Sequence, residues 1–301
     1  MSVRKLASIV VSAGVLVSLS ACASSPSTFA DCGPSGNAAL VTAEGSFGKD
    51  PAAEFPTPLV STKAETAQIR EGDGKDVPPG GIAYGTVSVY DGETGEALGG
   101  DSPLVAVPLL ASSTDFVLPF ADALACAEVG SRVVMTGTNQ QLFGEEGIGG
   151  SIAPDATLVV VTDVTDAFLG RANGADQIAQ DGMPAIVLAP NGQPGFTFPD
   201  TPLTDFRADF LKRGSGTVVE DGDSVVIHYS TVAWGAASVT ESTWTASPKI
   251  VPLDGADSTG TTITGAVKDA IVGAPVGSQL LIVAPGDSTL VYVIDVLGIA
   301  E

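Results

Sequence analysis

Histidine and cysteine are nearly absent from this 301-residue chain, which holds one His and three Cys. With His228 as the only imidazole, a Ser-His-Asp or Cys-His nucleophile system has almost nothing to draw on, and no G-x-S-x-G elbow is present. His228 sits beside Tyr229 in an apolar strand-like run, where a structural role is expected. There is no C-x-x-C, H-E-x-x-H or P-loop, and the Gly-rich stretch 144–150 lacks the strand-turn-helix setting of a phosphate cradle. No metal site and no cofactor are therefore assigned. Cations are scarce as well: 13 Lys and Arg face 35 Asp and Glu, a formal net charge of −22. Such a chain has no basic face for nucleic acid and no polybasic hold on anionic lipid. The many acids are expected on a solvated surface.

What the chain does have is apolar residues, glycine and proline. Hydrophobic residues make up 44 % against 16 % charged, enough for a core, while 36 Gly and 20 Pro favour strands and turns over long helices. The uncharged run from Leu6 to Ala21 follows Arg4 and Lys5 and is too short for a confident spanning helix. It ends Leu19-Ser20-Ala21-Cys22, which resembles the bacterial lipobox, so residues 1–21 are expected as a lipoprotein signal peptide and Cys22 as the lipidation site. The plainer alternative is an ordinary signal peptide with a chance Cys. An exported protein, held by its lipid on the outer face of the cytoplasmic membrane, follows from the first reading; separately, a monomer is expected. Outside the cytoplasm Cys32 and Cys126 suit a disulfide, with two free thiols as the alternative.

The chain also repeats. Gly72-Asp73-Gly74 matches Gly214-Ser215-Gly216 at an offset of 142, Val129-Gly130-Ser131 matches Val276-Gly277-Ser278 at 147, and Asp163-Val164 matches Asp295-Val296 at 132. The second copy thus loses fifteen residues before its last strand. Each copy reads as several strands and one short helix, an α+β unit. The helices are expected over 119–128 and 265–272; Phe120, Ala123, Leu124 and Ala127 follow the i, i+3, i+4, i+7 spacing of one buried face. The division expected is a flexible tether over 22–56, a first domain over 57–166, a linker over 167–182 and a second domain over 183–301.

The motifs of these copies resemble FKBP-type peptidyl-prolyl isomerases. Gly222-Asp223-Ser224-Val225-Val226-Ile227-His228-Tyr229 resembles the family's G-D-x-V-x-V-x-Y opening, and Glu241-Ser242-Thr243-Trp244 its D-S-S-W. Ile263-Thr264-Gly265 through Val276-Gly277 resembles the V-I-x-G…V-G helix segment, and the run from Leu290 to Leu297 the closing L-V-F-x-V-D-L-L strand. In the first copy, Leu142-Phe143-Gly144 and the run from Ile152 to Val159 resemble the A-Y-G…I-P-P-x-A-T-L-V loop. The likeness is to bacterial, actinobacterial-type lipoproteins with tandem, partly degenerate FKBP domains. It implies an α+β fold of two FKBP-like domains, each a twisted antiparallel sheet wrapped around a short helix. It further implies rotation about X-Pro bonds, with proline-containing polypeptide segments as partners.

Carried over position by position, the resemblance places the site of the second copy at Tyr229, Glu241 (where an Asp is usual), Trp244, Ile263, Thr264, Val267 (in place of the floor tryptophan) and Tyr292. In the first copy it places substrate contacts at Val117, Phe120, Phe143 and Ile152; Val87 stands where the second copy has Tyr229, with Tyr90 as a neighbouring substitute. Each copy thus keeps a different part of the usual pocket, and a non-catalytic peptide-binding or chaperone module of the cell envelope is the alternative. The same residues equally suit the core of such a fold.

Overall fold

The computed structural model describes residues 33–49, 51–78, 80–98, 107–110, 123–124, 127–145, 147–148, 152–178, 180–244, 246–254, 263 and 265–300. The expected leader with Cys22, and also Cys32 and Cys126, lie outside these residues. Most of the expected helix 119–128 lies outside them too. Among the described residues no helix is long and apolar enough to cross a membrane.

The fold is mostly antiparallel sheet with few helices. After a 3-10 turn at Gly36–Leu40 come β1 (Thr42–Glu44), β2 (Ala52–Glu54), β3 (Glu65–Arg70), β4 (Ile82–Asp91), β5 (Ala97–Leu98), β6 (Val107–Leu110), β7 (Arg132–Thr138), α1 (Asn139–Phe143) and β8 (Thr157–Phe168). There follow β9 (Ala175–Asp176), β10 (Ala185–Leu188), β11 (Pro194–Thr197), β12 (Arg207–Arg213), β13 (Ser224–Ala233), β14 (Glu241–Ser242), β15 (Lys249–Pro252), α2 (Ala266–Ile271), β16 (Gln279–Ala284) and β17 (Leu290–Ala300). The first large sheet runs β3-β7-β8-β4-β5 with β6 also on β4; the second runs β14-β13-β17-β16-β12-β9 with β15 also on β13. Strand for strand, β3-β7-β8-β4 and β12-β16-β17-β13 are the same arrangement.

The agreement extends to single hydrogen bonds. The β3–β7 ladder slips between Gln68 and Arg70, and the β12–β16 ladder between Phe210 and Lys212, at the same offset of 142. The bulge between Tyr84 and Gly85 in β4 recurs between Val226 and Ile227 in β13. The G-x-G motif has a steric cause: a Cβ at Gly72 would stand 2.5 Å from the Val129 carbonyl oxygen, and one at Gly214 2.2 Å from that of Val276. The Ser131 and Ser278 hydroxyls accept from the Gly72 and Gly214 amides at 3.1 and 3.0 Å. Each Ser follows a glycine with positive φ, 97° at Gly130 and 91° at Gly277, a turn few other residues adopt.

Each sheet has an inner and an outer apolar face. The inner face of the first packs Val87, Leu124, Met135, Leu142, Leu158 and Val160 into one cluster; that of the second packs Val225, Ile227, Tyr229, Val267, Ile271, Ile282 and Tyr292 under α2. Period-two alternation puts the neighbouring residues outside, where added chain covers them.

That cover corrects two expectations. Residues 36–54, within the expected tether, are built into the first domain: Ala38 and Val41 pack with Ala67, Tyr90, Val134 and Val161, and β1 pairs with β2. The expected linker is also docked: Phe168 closes β8, the Leu169 amide donates to the Leu297 carbonyl at 3.1 Å, and β9 adds to β12. A hairpin, β10 with β11, lies over the outer face of the second sheet, where Ile186 and Phe196 meet Met183, Leu281, Val283 and Val293. The two domains meet where Ile82 and Phe168 pack with Val226 and Leu297.

Helix α1 falls where a loop was expected. Its Thr138 hydroxyl accepts from the Gln141 amide while the Gln141 side chain accepts from the Thr138 amide, a complete capping box. Helix α2 falls inside the expected span 265–272.

Candidate functional site

In the second domain, strand β13 sets the site. Its inward residues are Val225, Ile227 and Tyr229, and Tyr229 is the largest fully buried side chain. The Tyr229 hydroxyl donates to Glu241 Oε1 at the start of β14. Tyr292, on β17, is 3 % exposed in the same cluster, as are Ile263 at 1 % and Val267 of α2 at 4 %. Five of the expected residues therefore converge: Tyr229, Glu241, Ile263, Val267 and Tyr292. Thr264 lies outside the described residues. The result is a closely packed apolar cluster between sheet and helix that holds two tyrosines and a phenol–carboxylate hydrogen bond.

Trp244 does not join them. It stacks on the outward-facing His228, ring centroids 4.6 Å apart and 20° from parallel. The turn of the β10–β11 hairpin crowds its edge, since a Cβ on Gly192 would stand 2.6 Å from the ring. Trp244 thus lies on the opposite face of β13 from Tyr229, because the residues they pack against alternate along the strand. Burial pushes the His228 imidazole down to about 4, and its Nδ1 lies 2.9 Å from the Thr243 hydroxyl. A neutral structural histidine results.

In the first domain, Phe143 at the end of α1 and Ile152 both pack on the inner cluster with Val87 and Leu142. Val117 and Phe120 lie outside the described residues. Tyr90 cannot take the place of Val87: it belongs to the outer cluster, and its hydroxyl donates to the Pro51 carbonyl. The inner positions matching Tyr229 and Tyr292 are Val87 and Val160, so at these two positions the second domain is aromatic where the first is aliphatic.

Cavities among the described residues lie away from these side chains, as two of them show. One of about 630 Å³ runs along the domain seam beside Lys75, Phe168, Val218 and Ile299; one of about 310 Å³ lies between β12 and the chain from Asp176 to Leu188. Neither is lined by an expected site residue. Among the described residues no group of three or more His, Cys, Asp or Glu is placed to hold a metal ion.

Sequence reasoning missed a pair of polar devices on the outer faces. In the first domain Arg132 Nε and Nη2 donate to the two Asp163 oxygens at 2.6 and 2.8 Å, with the side chains 5 % and 1 % exposed. Arg132 also donates to the carbonyls of Ala43, Gly45 and Ser46, and Asp163 accepts from the Gly48 amide at 2.6 Å. The hydrogen bond to Asp163 holds the guanidinium pKa above its ordinary value, against the opposing effect of burial. At the matching positions of the second domain stand Gln279 and Asp295: Gln279 Nε2 donates to Asp295 at 2.6 Å and the Ala172 amide donates at 2.7 Å. Each pair pins the segment that enters its domain. The signal was present in the sequence as an acid inside an apolar strand, repeated in both copies.

No protein-family model matches the chain, and no curated protein matches it. Among solved structures it is similar to the three FKBP domains of wheat FKBP73, at 13 % identity over 79 % of this chain and 94 % of that one, with a TM-score of 0.34. It is similar to a multi-domain immunophilin from Arabidopsis thaliana at 16 % identity, covering 39 % of this chain and 49 % of that one, with a TM-score of 0.30. FkpA from Escherichia coli gives 15 % identity, 37 % and 52 % coverage, and a TM-score of 0.28.

Proposed function

We propose that the chain is a peptidyl-prolyl cis-trans isomerase of two FKBP-like domains, with its activity in the second domain. One observation carries the reading: Tyr229, Tyr292, Ile263 and Val267 meet between sheet and helix, with the Tyr229 hydroxyl bonded to Glu241. An X-Pro amide resists rotation because its C–N bond has partial double-bond character, and it turns over in tens to hundreds of seconds unaided. The planar amide is more dipolar than the twisted one. An apolar, aromatic-lined space stabilises the twisted form relative to the planar form, and a hydrogen bond matched to the twisted geometry adds to that difference. Neither a nucleophile nor a cofactor takes part. The clients are proline-containing segments of exported chains, met on the outer face of the cytoplasmic membrane where the lipid on Cys22 holds the protein.

The test is a cis/trans-sensitive assay on a proline peptide, or exchange spectroscopy between its two isomers, with the full chain. A measurable rate above buffer is expected, reduced roughly tenfold by Tyr229→Phe, the loss of about 1.4 kcal/mol of differential binding. A wild-type rate equal to buffer removes the enzyme reading. The alternative, a non-catalytic module that holds extended proline-containing segments, draws on Val267, which stands where the resemblance puts the floor tryptophan, and on the fifteen residues the second copy lacks before its last strand. Binding of such peptides with no acceleration selects it.

A further inference from the structure

The two domains use one device to hold their entering segments, but only the first has given it a counter-ion. In the first domain the buried carboxylate of Asp163 is matched by Arg132, a donor-only cation. In the second, Asp295 is 2 % exposed, and among the described residues no cation lies within ion-pair distance of it. Its partners are the Gln279 side chain and the Ala172 amide. A primary amide serves either protonation state, donating from Nε2 to a carboxylate or accepting at Oε1 from a carboxylic acid, whereas a guanidinium serves only the anion.

The charged and titratable groups around Asp295 come from every element that packs on it. His228, its cross-strand partner on β13, is neutral and stacked on Trp244. Lys212 of β12 is engaged with Asp176, and Arg171 of the overlying segment donates to the Pro190 carbonyl. Burial pushes the Asp295 carboxyl up to about 6; the Ala172 amide, Gln279, Lys212 and Arg171 oppose the shift without cancelling it.

We propose that Asp295 is a proton-operated latch: uptake of a proton at its carboxyl tightens the docking of residues 169–176 on the second domain, and loss of that proton loosens it. The sign follows from linkage. When the segment lifts, water reaches the carboxyl and it returns to ordinary aspartate behaviour, so the ionised form favours the open state. With the docked group titrating near 6 and the released one near 3.8, the opening equilibrium grows about tenfold between pH 5 and pH 7.5. The Arg132–Asp163 clamp pairs its buried carboxylate with a fixed cation and serves as the internal control.

Amide hydrogen exchange of the full chain, corrected for intrinsic rates, tests the latch against its own internal control. The amides of Ala172 and Gly174, the second bonded to the Gly277 carbonyl at 2.9 Å, are expected to open about tenfold more at pH 7.5 than at pH 5. The Gly48 amide on Asp163 should not change. Asp295→Asn should remove the pH dependence, and Gln279→Arg, which copies the first domain, should remove it too. The proposal is overturned if Ala172 and Gly48 respond to pH alike, or if the response of Ala172 survives in Asp295→Asn. The wild-type comparison of the two amides decides the matter even where a variant fails to fold.

Discussion

Replacing Arg132 by Ala should unfold the first domain selectively. The substitution removes both bonds to Asp163 and the donors to the Ala43, Gly45 and Ser46 carbonyls. It leaves a carboxylate 1 % exposed with the Gly48 amide as its remaining partner here. Breaking a buried pair from one side costs about 3–5 kcal/mol, because the surviving charge has lost its compensation. For a domain of this size each kcal/mol moves the midpoint by some 3–5 °C, so a fall of at least about 9 °C is expected. The assay has a built-in discriminator. The chain has two Trp, Trp234 and Trp244, both in the second domain, so fluorescence follows that domain while calorimetry follows both. The calorimetric transition that has no fluorescence counterpart should fall, and the fluorescence transition should stay within about 3 °C. Removing Asp163 as well should restore part of the loss, since the orphaned charge goes with it. Equal shifts of both transitions, or a fall under about 4 °C, would refute the reasoning.

Two further perturbations test the second domain and the seam. His228 is held near 4 by burial, so it stabilises the fold fully above about pH 6.5 and that stability is lost as pH falls toward 4, roughly 3 kcal/mol in all. Asp295, raised to about 6, works in the opposite sense over much the same window, so urea unfolding read by tryptophan fluorescence should be nearly flat from pH 7 to 4. His228→Phe should expose the Asp295 term as a gain in stability on acidification; continued acid loss in that variant sinks the assignment. At the seam, a Cβ on Gly170 would stand 1.9 Å from the Gly80 carbonyl oxygen, so Gly170→Ala should cost about 1–3 kcal/mol and speed protease cleavage near residues 169–176. Unchanged cleavage there would show that the two backbones separate freely.

The repeat was the most legible feature of the sequence because it is written in glycines whose reasons are steric. Gly72 and Gly214 sit where a side chain would collide with a carbonyl, so both copies kept the same letter and the offset can be read directly. The inner-face residues were legible through pattern: Tyr229 and Tyr292 fall on strands and Val267 on a helix, and with Ile263 they meet in one core. Trp244 was not, since it follows β14 beyond the reach of strand alternation and turns to the outer face to stack on His228. The covers of the outer faces were hidden because they are local additions with no counterpart in the repeat. Residues 36–54 are rich in small residues that read as a tether, yet Ala38 and Val41 are nearly fully buried. The β10–β11 hairpin did carry a signal, Asn191-Gly192 at its turn, with Gly192 at a φ of 102°.

Both copies keep the backbone frame, down to two matched ladder irregularities, while the residues lining it have diverged. Backbone geometry is shared because each G-x-G, V-G-S and strand Asp is locked by contacts with main chain, and changing one would disturb the sheet. Side chains facing the helix carry no such constraint. The first copy fills its inner face with Val87 and Val160 where the second has Tyr229 and Tyr292, and the second bonds a phenol to a carboxylate there. An isomerase reading therefore makes an asymmetric demand: any acceleration must respond to Tyr229→Phe and be indifferent to changes at Val87. Activity that followed Val87 instead would place the chemistry in the copy whose lining is aliphatic at these two positions, and aromatic side chains would not then account for it.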